Sequence, residues 1–270
     1  AQQGLGKYLG ILAYYLVKSR RRISKINIDL CYPERSEAKR EAMLKEHFEH
    51  NGKGLIEMGT AWWMSDEKYK QLSTMHGAEH LDKAIAQGSV LLLGVHFTSL
   101  ESAGRALHSH GYNFQCMYKP AKDPLFNAMM CAKRRSYLTA LISNREGKVF
   151  SHNLQQGMLS WYAPDQSFNR SVIFAPLFKQ STTTLTATGN IAQYAKAQVL
   201  PMFCIRSADG EGYEVHILPP LKNFPSGDAY ADACAVNAAT EEMINYAPAQ
   251  YLWGHRRFKY MEDDSNPYAK

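Results

Sequence analysis

From residue 79 onward the chain alternates between two rhythms. A segment with apolar residues three and four apart, "EHLDKAIAQ", precedes an almost unbroken apolar run, "SVLLLGV"; "SLESAGRALHSH" then precedes "YNFQCMY". The first rhythm is that of a helix with one covered face, the second that of a strand buried on both faces. The alternation continues through "DPLFNAMMCAKRRS", "LTALIS", "EGKVFSHNLQQ", "MLSWYAP", "LTATGNIAQYAKA", "QVLPMFCIR" and "YEVHILP", and a long helix is predicted from about Asp228 to Tyr246. This order predicts an α/β fold: a mixed, mainly parallel sheet flanked by helices on both faces. The "DGEG" turn at 209–212 joins the last two predicted strands as an antiparallel hairpin at the sheet edge.

The region before residue 79 reads differently. "CYPERSEAKREAMLKEHFEHNGKGLIEMGTAWWM" opens on a proline turn with Ser36 as N-cap, then shows helical spacing interrupted by Gly52, Gly54 and Gly59, which predicts a helical layer in two pieces. Residues 1–64 are thus expected to form the helical N-terminal part of a single domain over 1–270, because no repeat, low-complexity tract or linker divides the chain. Leu5 to Val17 is mostly apolar but interrupted by Lys7, short of the roughly 20 apolar residues that span a bilayer. Lys18, Arg20, Arg21, Arg22 and Lys25 follow. They read either as a cluster that attracts anionic lipid or as a solvated helix end. The stretch does not have the form of a signal peptide.

Composition narrows the class. With 270 residues, 45% of them hydrophobic, the chain can bury a large core. A formal charge of +6 points to an acidic partner: a membrane surface, a phosphorylated ligand, nucleic acid or an acidic carrier protein. Nucleic acid is disfavoured, since Trp62, Trp63, Trp161, Tyr162 and Trp253 fall in apolar segments instead of interleaving with the basic residues. Five scattered cysteines without a C-x-x-C pair suit a reducing compartment.

The sharpest chemical candidate is "GVHFTSLE", residues 94–101, where a predicted strand ends. In open α/β sheets ligands bind outside the carboxyl ends of the strands. Thr98-x-x-Glu101 has the form of a capping box, which would make Glu101 a helix starter. That leaves His96 unexplained. A carboxylate in the first turn can also orient the ring and hold its tautomer while the other nitrogen accepts a substrate proton. The two readings are compatible. "HGAEH", 76–80, matches the H-x-x-E-H zinc pattern only formally: Gly77 interrupts the single helix that motif needs, and no third ligand is evident. No metal is expected. His47, His50, His108 and His110 read as solvated positions on amphipathic helices.

The chain carries no G-x-S-x-G elbow, P-loop or dinucleotide fingerprint. "STTTLT", 181–186, reads as a hydroxyl-rich helix N-terminus. Lys119, Arg134, Arg135, Arg145, Arg170, Arg256 and Arg257 recur at predicted loop ends. Each singly is a surface charge or carboxylate partner; gathered near His96 they would make a phosphate pocket.

"GVHFTSLE", "YKPAKDPL", "WYAPDQSFNRSVIFAPLF", "TTT" and "APAQYLWGHRRFK", with "NIDLCYPERSE" and "GLIEMGTAWWM" before them, together resemble the late, Kdo-dependent acyltransferases of lipid A biosynthesis, within the glycerolipid acyltransferase superfamily. The likeness runs in order along nearly the whole chain. It implies a single acyltransferase domain and, as substrates, a fatty acyl thioester on acyl carrier protein and a 3-hydroxyacyl hydroxyl on a Kdo-bearing lipid A precursor. It implies His96 as general base with Glu101 as its partner, no cofactor and no covalent enzyme intermediate. Asp165 matches the family's Pro-Asp element, with Arg170 close behind. Lys119, Arg134, Arg135, Asp165, Arg170, Arg256 and Arg257 are expected to shape the site or bind the head group. Phe168 and Asn169 stand where family members show a glycine-proline pair. The resemblance further implies an inner-membrane location with the catalytic domain on the cytoplasmic face, and a membrane anchor preceding residue 1. Two other readings stay open on the residues alone: a thioesterase-like lipid hydrolase using the same pair, and a non-enzymatic membrane-binding module.

Overall fold

The computed structural model describes residues 2–269. Three helices come first: α1 (Gln2–Leu16), α2 (Lys18–Cys31) and α3 (Glu37–Trp63). Ser36 caps α3 by accepting from the Lys39 N–H. The predicted break within α3 does not occur; Gly52 and Gly54 serve close packing instead, while Gly59 sits in open space within the helix. A Cβ on Gly10 would lie 2.1 Å from the Phe48 carbonyl oxygen, and one on Gly52 would lie 2.1 Å from that of Gly6. Helices α1 and α3 therefore cross with their backbones in contact. His47 and His50 are buried, not solvated, and burial pushes both rings far down, to about 4 and about 3.

A short helix α4 (Asp66–Gln71) leads to strand β1 (Ser73–His76) and helix α5 (Ala78–Gln87); then come β2 (Val90–Gly94), α6 (Leu100–Ser109), β3 (Phe114–Tyr118), α7 (Pro124–Arg135), β4 (Ala140–Ser143), α8 (Gly147–Gln155) and β5 (Leu159–Tyr162). After β6 (Val172–Leu177) and β7 (Gln180–Leu185) the chain forms α9 (Ala187–Ala195), β8 (Gln198–Arg206), β9 (Tyr213–Ile217) and α10 (Ala229–Tyr246). Seven strands make one sheet in the order β1-β9-β8-β2-β5-β3-β4. All pairings are parallel except β8 with β9. The expected α/β fold with a mainly parallel sheet is what the chain adopts.

Two details differ from expectation. The β8–β9 hairpin is not at the edge, since β1 pairs outside it; "STMH" is too short and mixed to announce a strand. Residues 181–185 of "STTTLT" lie in strand β7, which pairs with β6 in a separate two-stranded ribbon, and only Thr186 stands at a helix start, as the N-cap residue of α9 without a side-chain cap. β-branched threonines suit a pleated strand.

Burial follows the strand period. All of β2 is buried, as a central strand requires. Leu91 and Leu93 join one core cluster with Leu44, Phe150, Val236 and Met243, while Leu92 joins the other with Trp62, Leu81, Leu107 and Phe114. Successive side chains of one strand thus anchor helical layers on opposite faces. Among the described residues no helix is long and apolar enough to cross a membrane.

Candidate active site

Register brings the central pair together. β2 and β5 are neighbours, with Leu93 opposite Tyr162. His96 follows the end of β2 by two residues and Asp165 follows β5 by three, so both emerge side by side at carboxyl strand ends. The His96 ring places Nδ1 2.5 Å from Asp165 Oδ1, and its backbone N–H donates to Oδ2 at 3.0 Å. The Tyr251 hydroxyl donates to the same Oδ2 at 2.9 Å. The Asp165 side chain is 1% exposed, that of His96 24%.

This corrects the expected pairing of His96 with Glu101. Glu101 directs its carboxylate to Arg134, which donates through Nη2 and, at 3.3 Å, Nε, and to Trp62, whose Nε1–H donates at 2.8 Å. The capping box does not form either. Ser99 is the N-cap residue of α6, without a side-chain cap. Thr98 Oγ1 instead accepts from Arg206 Nη1 at 2.8 Å. The spacing of His96 and Glu101 was legible in the chain, whereas the loop after β5 that carries Asp165 could be placed beside His96 only by strand order.

Charge follows this geometry. Burial pushes the His96 ring down, but the charge and hydrogen bond of Asp165 outweigh it and raise its pKa above the usual histidine value, against the opposing charge of Arg134. Burial pushes Asp165 up, but His96 and the bond from Tyr251 bring it below the usual carboxylate value. Burial would lower Arg134, yet Glu101 raises it. With Nδ1 engaged by Asp165, Nε2 is the ring nitrogen left to meet a substrate proton.

The carboxy-terminal segment closes the site from the other side. Leu252 N–H donates to the His96 carbonyl and Thr98 N–H to that of Gln250, both at 2.9 Å, with Phe97 bridged to Tyr251. His255 accepts the Ser167 N–H on Nε2 at 3.0 Å, and burial lowers its pKa to about 4. Arg257, buried, donates to Thr182 Oγ1 at 3.3 Å and the Thr183 carbonyl at 2.9 Å, and its charge is felt by His255 together with that of Lys119. Arg135, Arg170 and Arg256 are exposed, Arg256 with its guanidinium 6.0 Å from the centre of the Tyr268 ring. His96, Glu101, Arg134, Asp165 and Arg257 therefore gather, while the three exposed arginines face solvent.

Tyr251, His255, Glu57 and Arg206 went unmarked in the sequence. Arg206, at the end of β8, donates to Glu57 from Nε at 2.7 Å and 2.9 Å and from Nη2 at 2.6 Å, while its Nη1 reaches Thr98. Nothing local signals this pair, because its members are 149 residues apart. Gly54 lets the same loop approach α3: a Cβ there would lie 2.3 Å from the Thr98 carbonyl oxygen. Two surface cavities lie elsewhere, one between α3 and Pro248–Gln250, one at the amino ends of β2, β3 and β5; neither is lined by His96.

The sequence matches the model of the bacterial lipid A biosynthesis acyltransferase family over residues 1–260. It is 35% identical to a lipid A biosynthesis lauroyltransferase of Escherichia coli over 260 residues, 94% of this chain and 84% of that protein. It is 33% identical to a lipid A biosynthesis palmitoleoyltransferase of the same organism over 94% of this chain and 84% of the relative, and 28% identical to a myristoyltransferase over 91% and 77%. With the match running through both strand ends that carry His96 and Asp165, this chain belongs to the bacterial lipid A biosynthesis acyltransferase family.

Proposed function

We propose that the chain transfers a fatty acyl group from an acyl carrier protein thioester to the hydroxyl of a 3-hydroxyacyl chain on a Kdo-bearing lipid A precursor, with His96 as general base. The observation that carries the mechanism is the His96 Nδ1–Asp165 contact of 2.5 Å on a buried carboxylate. A proton held on Nδ1 leaves the Nε2 lone pair available, and Asp165 stabilises the imidazolium that forms. Nε2 accepts the hydroxyl proton as that oxygen attacks the thioester carbonyl carbon. The C–O bond forms, the C–S bond breaks, and the thiolate leaves with the proton returned by the imidazolium. Arg134, fixed by Glu101, supplies positive charge beside the ring for a phosphate or a developing oxyanion.

We further propose that the protein works at the cytoplasmic face of the inner membrane. Leu5, Tyr8, Leu12, Tyr15 and Leu16 lie exposed at helical spacing on α1, opposite the face that meets α3, and the basic start of α2 follows. Trp63, Leu125, Phe126 and Met129 are exposed on α3 and α7, the helices that carry Trp62 and Arg134. An apolar stripe with a basic flank suits an anionic bilayer surface.

The test is incubation of the detergent-solubilised protein with a series of acyl carrier protein thioesters and the Kdo-bearing precursor, followed by mass spectrometry of the glycolipid. A discrete acyl mass gain, absent in His96→Ala, is expected. Free fatty acid released equally with and without the glycolipid would favour a hydrolase and sink the proposal.

A further inference from the structure

At the outer edge of the sheet, well away from His96 along the strand order, two histidines and a glutamate converge. His76 ends β1 and is the register partner of His216 on β9. Glu214 lies two residues before His216, hence on the same face of the strand. Its Oε2 is 3.2 Å from His216 Nε2 and 3.8 Å from His76 Nε2. One ligand atom from each residue lies within 4.8 Å of the other two.

We propose that His76, Glu214 and His216 form a binding site for Zn²⁺ or a similar first-row transition-metal ion, pinning the edge strand β1 to β9. Two imidazole nitrogens and one carboxylate oxygen are a donor set that suits this class of cation. Zn–N and Zn–O bonds of about 2.0–2.2 Å place tetrahedral ligands roughly 3.3–3.5 Å apart, so His216 and Glu214 already stand at ligand spacing. His76 stands 3.8 Å from the Glu214 oxygen and within 4.8 Å of the His216 ligand atom, so it must move inward to complete the set, and with its side chain 48% exposed it has room to swing in. A solvent-facing fourth position is left for water.

The surroundings hold the donors in place. The His216 ring stacks on Phe203 with centroids 4.9 Å apart and planes at 6°, and on His76 at 4.6 Å and 17°. Gly77 begins the next turn at φ +75°, where the Ile217 carbonyl closes in; a Cβ there would lie 2.0 Å from it. The β1–β9 ladder runs up to His76, and the chain just past it lies close against β9. The "HGAEH" pattern contributes one ligand, His76, while the other two come from a strand about 140 residues later that only the parallel β1–β9 pairing brings alongside.

The site is tested on tag-free protein stripped with a chelator, titrated with Zn²⁺ by calorimetry and with Co²⁺ by visible absorption. Wild type and His96→Ala are expected to bind saturably. His76→Ala and Glu214→Gln, at partly exposed positions whose loss leaves the core intact, should weaken binding by at least the ~10–100-fold that loss of even a supporting outer-shell group costs. Zn²⁺ should raise the Tm of wild type and leave that of His76→Ala unmoved. Absence of saturable binding by wild type, or a smaller loss of affinity in either variant, would overturn the site.

Discussion

Replacing Asp165 with asparagine keeps the volume and removes the charge. Its two oxygens accept from three donors: the His96 ring at 2.5 Å, the His96 backbone N–H at 3.0 Å and the Tyr251 hydroxyl at 2.9 Å. An amide has one accepting oxygen, so at least one donor loses its partner. If the amide NH₂ turns to Nδ1, the ring takes the tautomer with its proton on Nε2, the wrong one for a base. General-base catalysis contributes ~10²–10⁴-fold, and kcat/KM for acyl transfer by Asp165→Asn is expected to fall within that range. The pH profile supplies an independent readout. Asp165 raises the His96 pKa above 6.5, and under the proposed mechanism transfer needs the unprotonated ring, so wild-type activity is expected to climb with pH along a limb centred above that value. In Asp165→Asn the limb moves to lower pH, because burial and Arg134 then act unopposed. The assay is the initial rate of glycolipid acylation from pH 5 to 9, taken as about the span in which a histidine titrates. An Asp165→Asn enzyme with wild-type rate and an unmoved limb would refute the reasoning. A limb shift in Glu101→Gln instead would assign the orienting role to Glu101.

Other substitutions probe the scaffold. Arg206→Met leaves the Glu57 carboxylate buried without its partner, and breaking such a pair costs about 3–5 kcal/mol, to be read by denaturant unfolding; an unchanged midpoint would show that the pair contributes nothing. Gly54→Ala drives a methyl group against the Thr98 carbonyl and should destabilise by about 1–3 kcal/mol while lowering kcat through the displaced His96 loop. Wild-type stability and rate in that variant would show that the loop yields freely. Leu12→Ser and Leu16→Ser, on the exposed stripe of α1, should each weaken binding to anionic vesicles roughly tenfold in a sedimentation assay, as loss of ~1.5 kcal/mol of apolar burial implies. Unchanged binding would remove α1 from the membrane-facing surface.

Hydrophobic patterning alone determined the layered α/β architecture. The five-residue buried run of β2 and the helical stripes of α5 and α6 each carry their own periodicity, and His96 was legible because it directly follows such a strand. Strand β1 and the ribbon β6–β7 were not, since four mixed residues or a run of threonines take their state from the partner they pair with. The tertiary structure decided which carboxylate meets His96. Five positions along the chain, Glu101 stands on the next helix and turns to Arg134 and Trp62; sixty-nine positions away, Asp165 leaves the strand hydrogen-bonded to β2 and arrives at the ring. Local spacing constrains only neighbours on one element, whereas strand order and register bring together loops that share no segment of chain. The same reason hid Glu57 from Arg206 and His76 from His216.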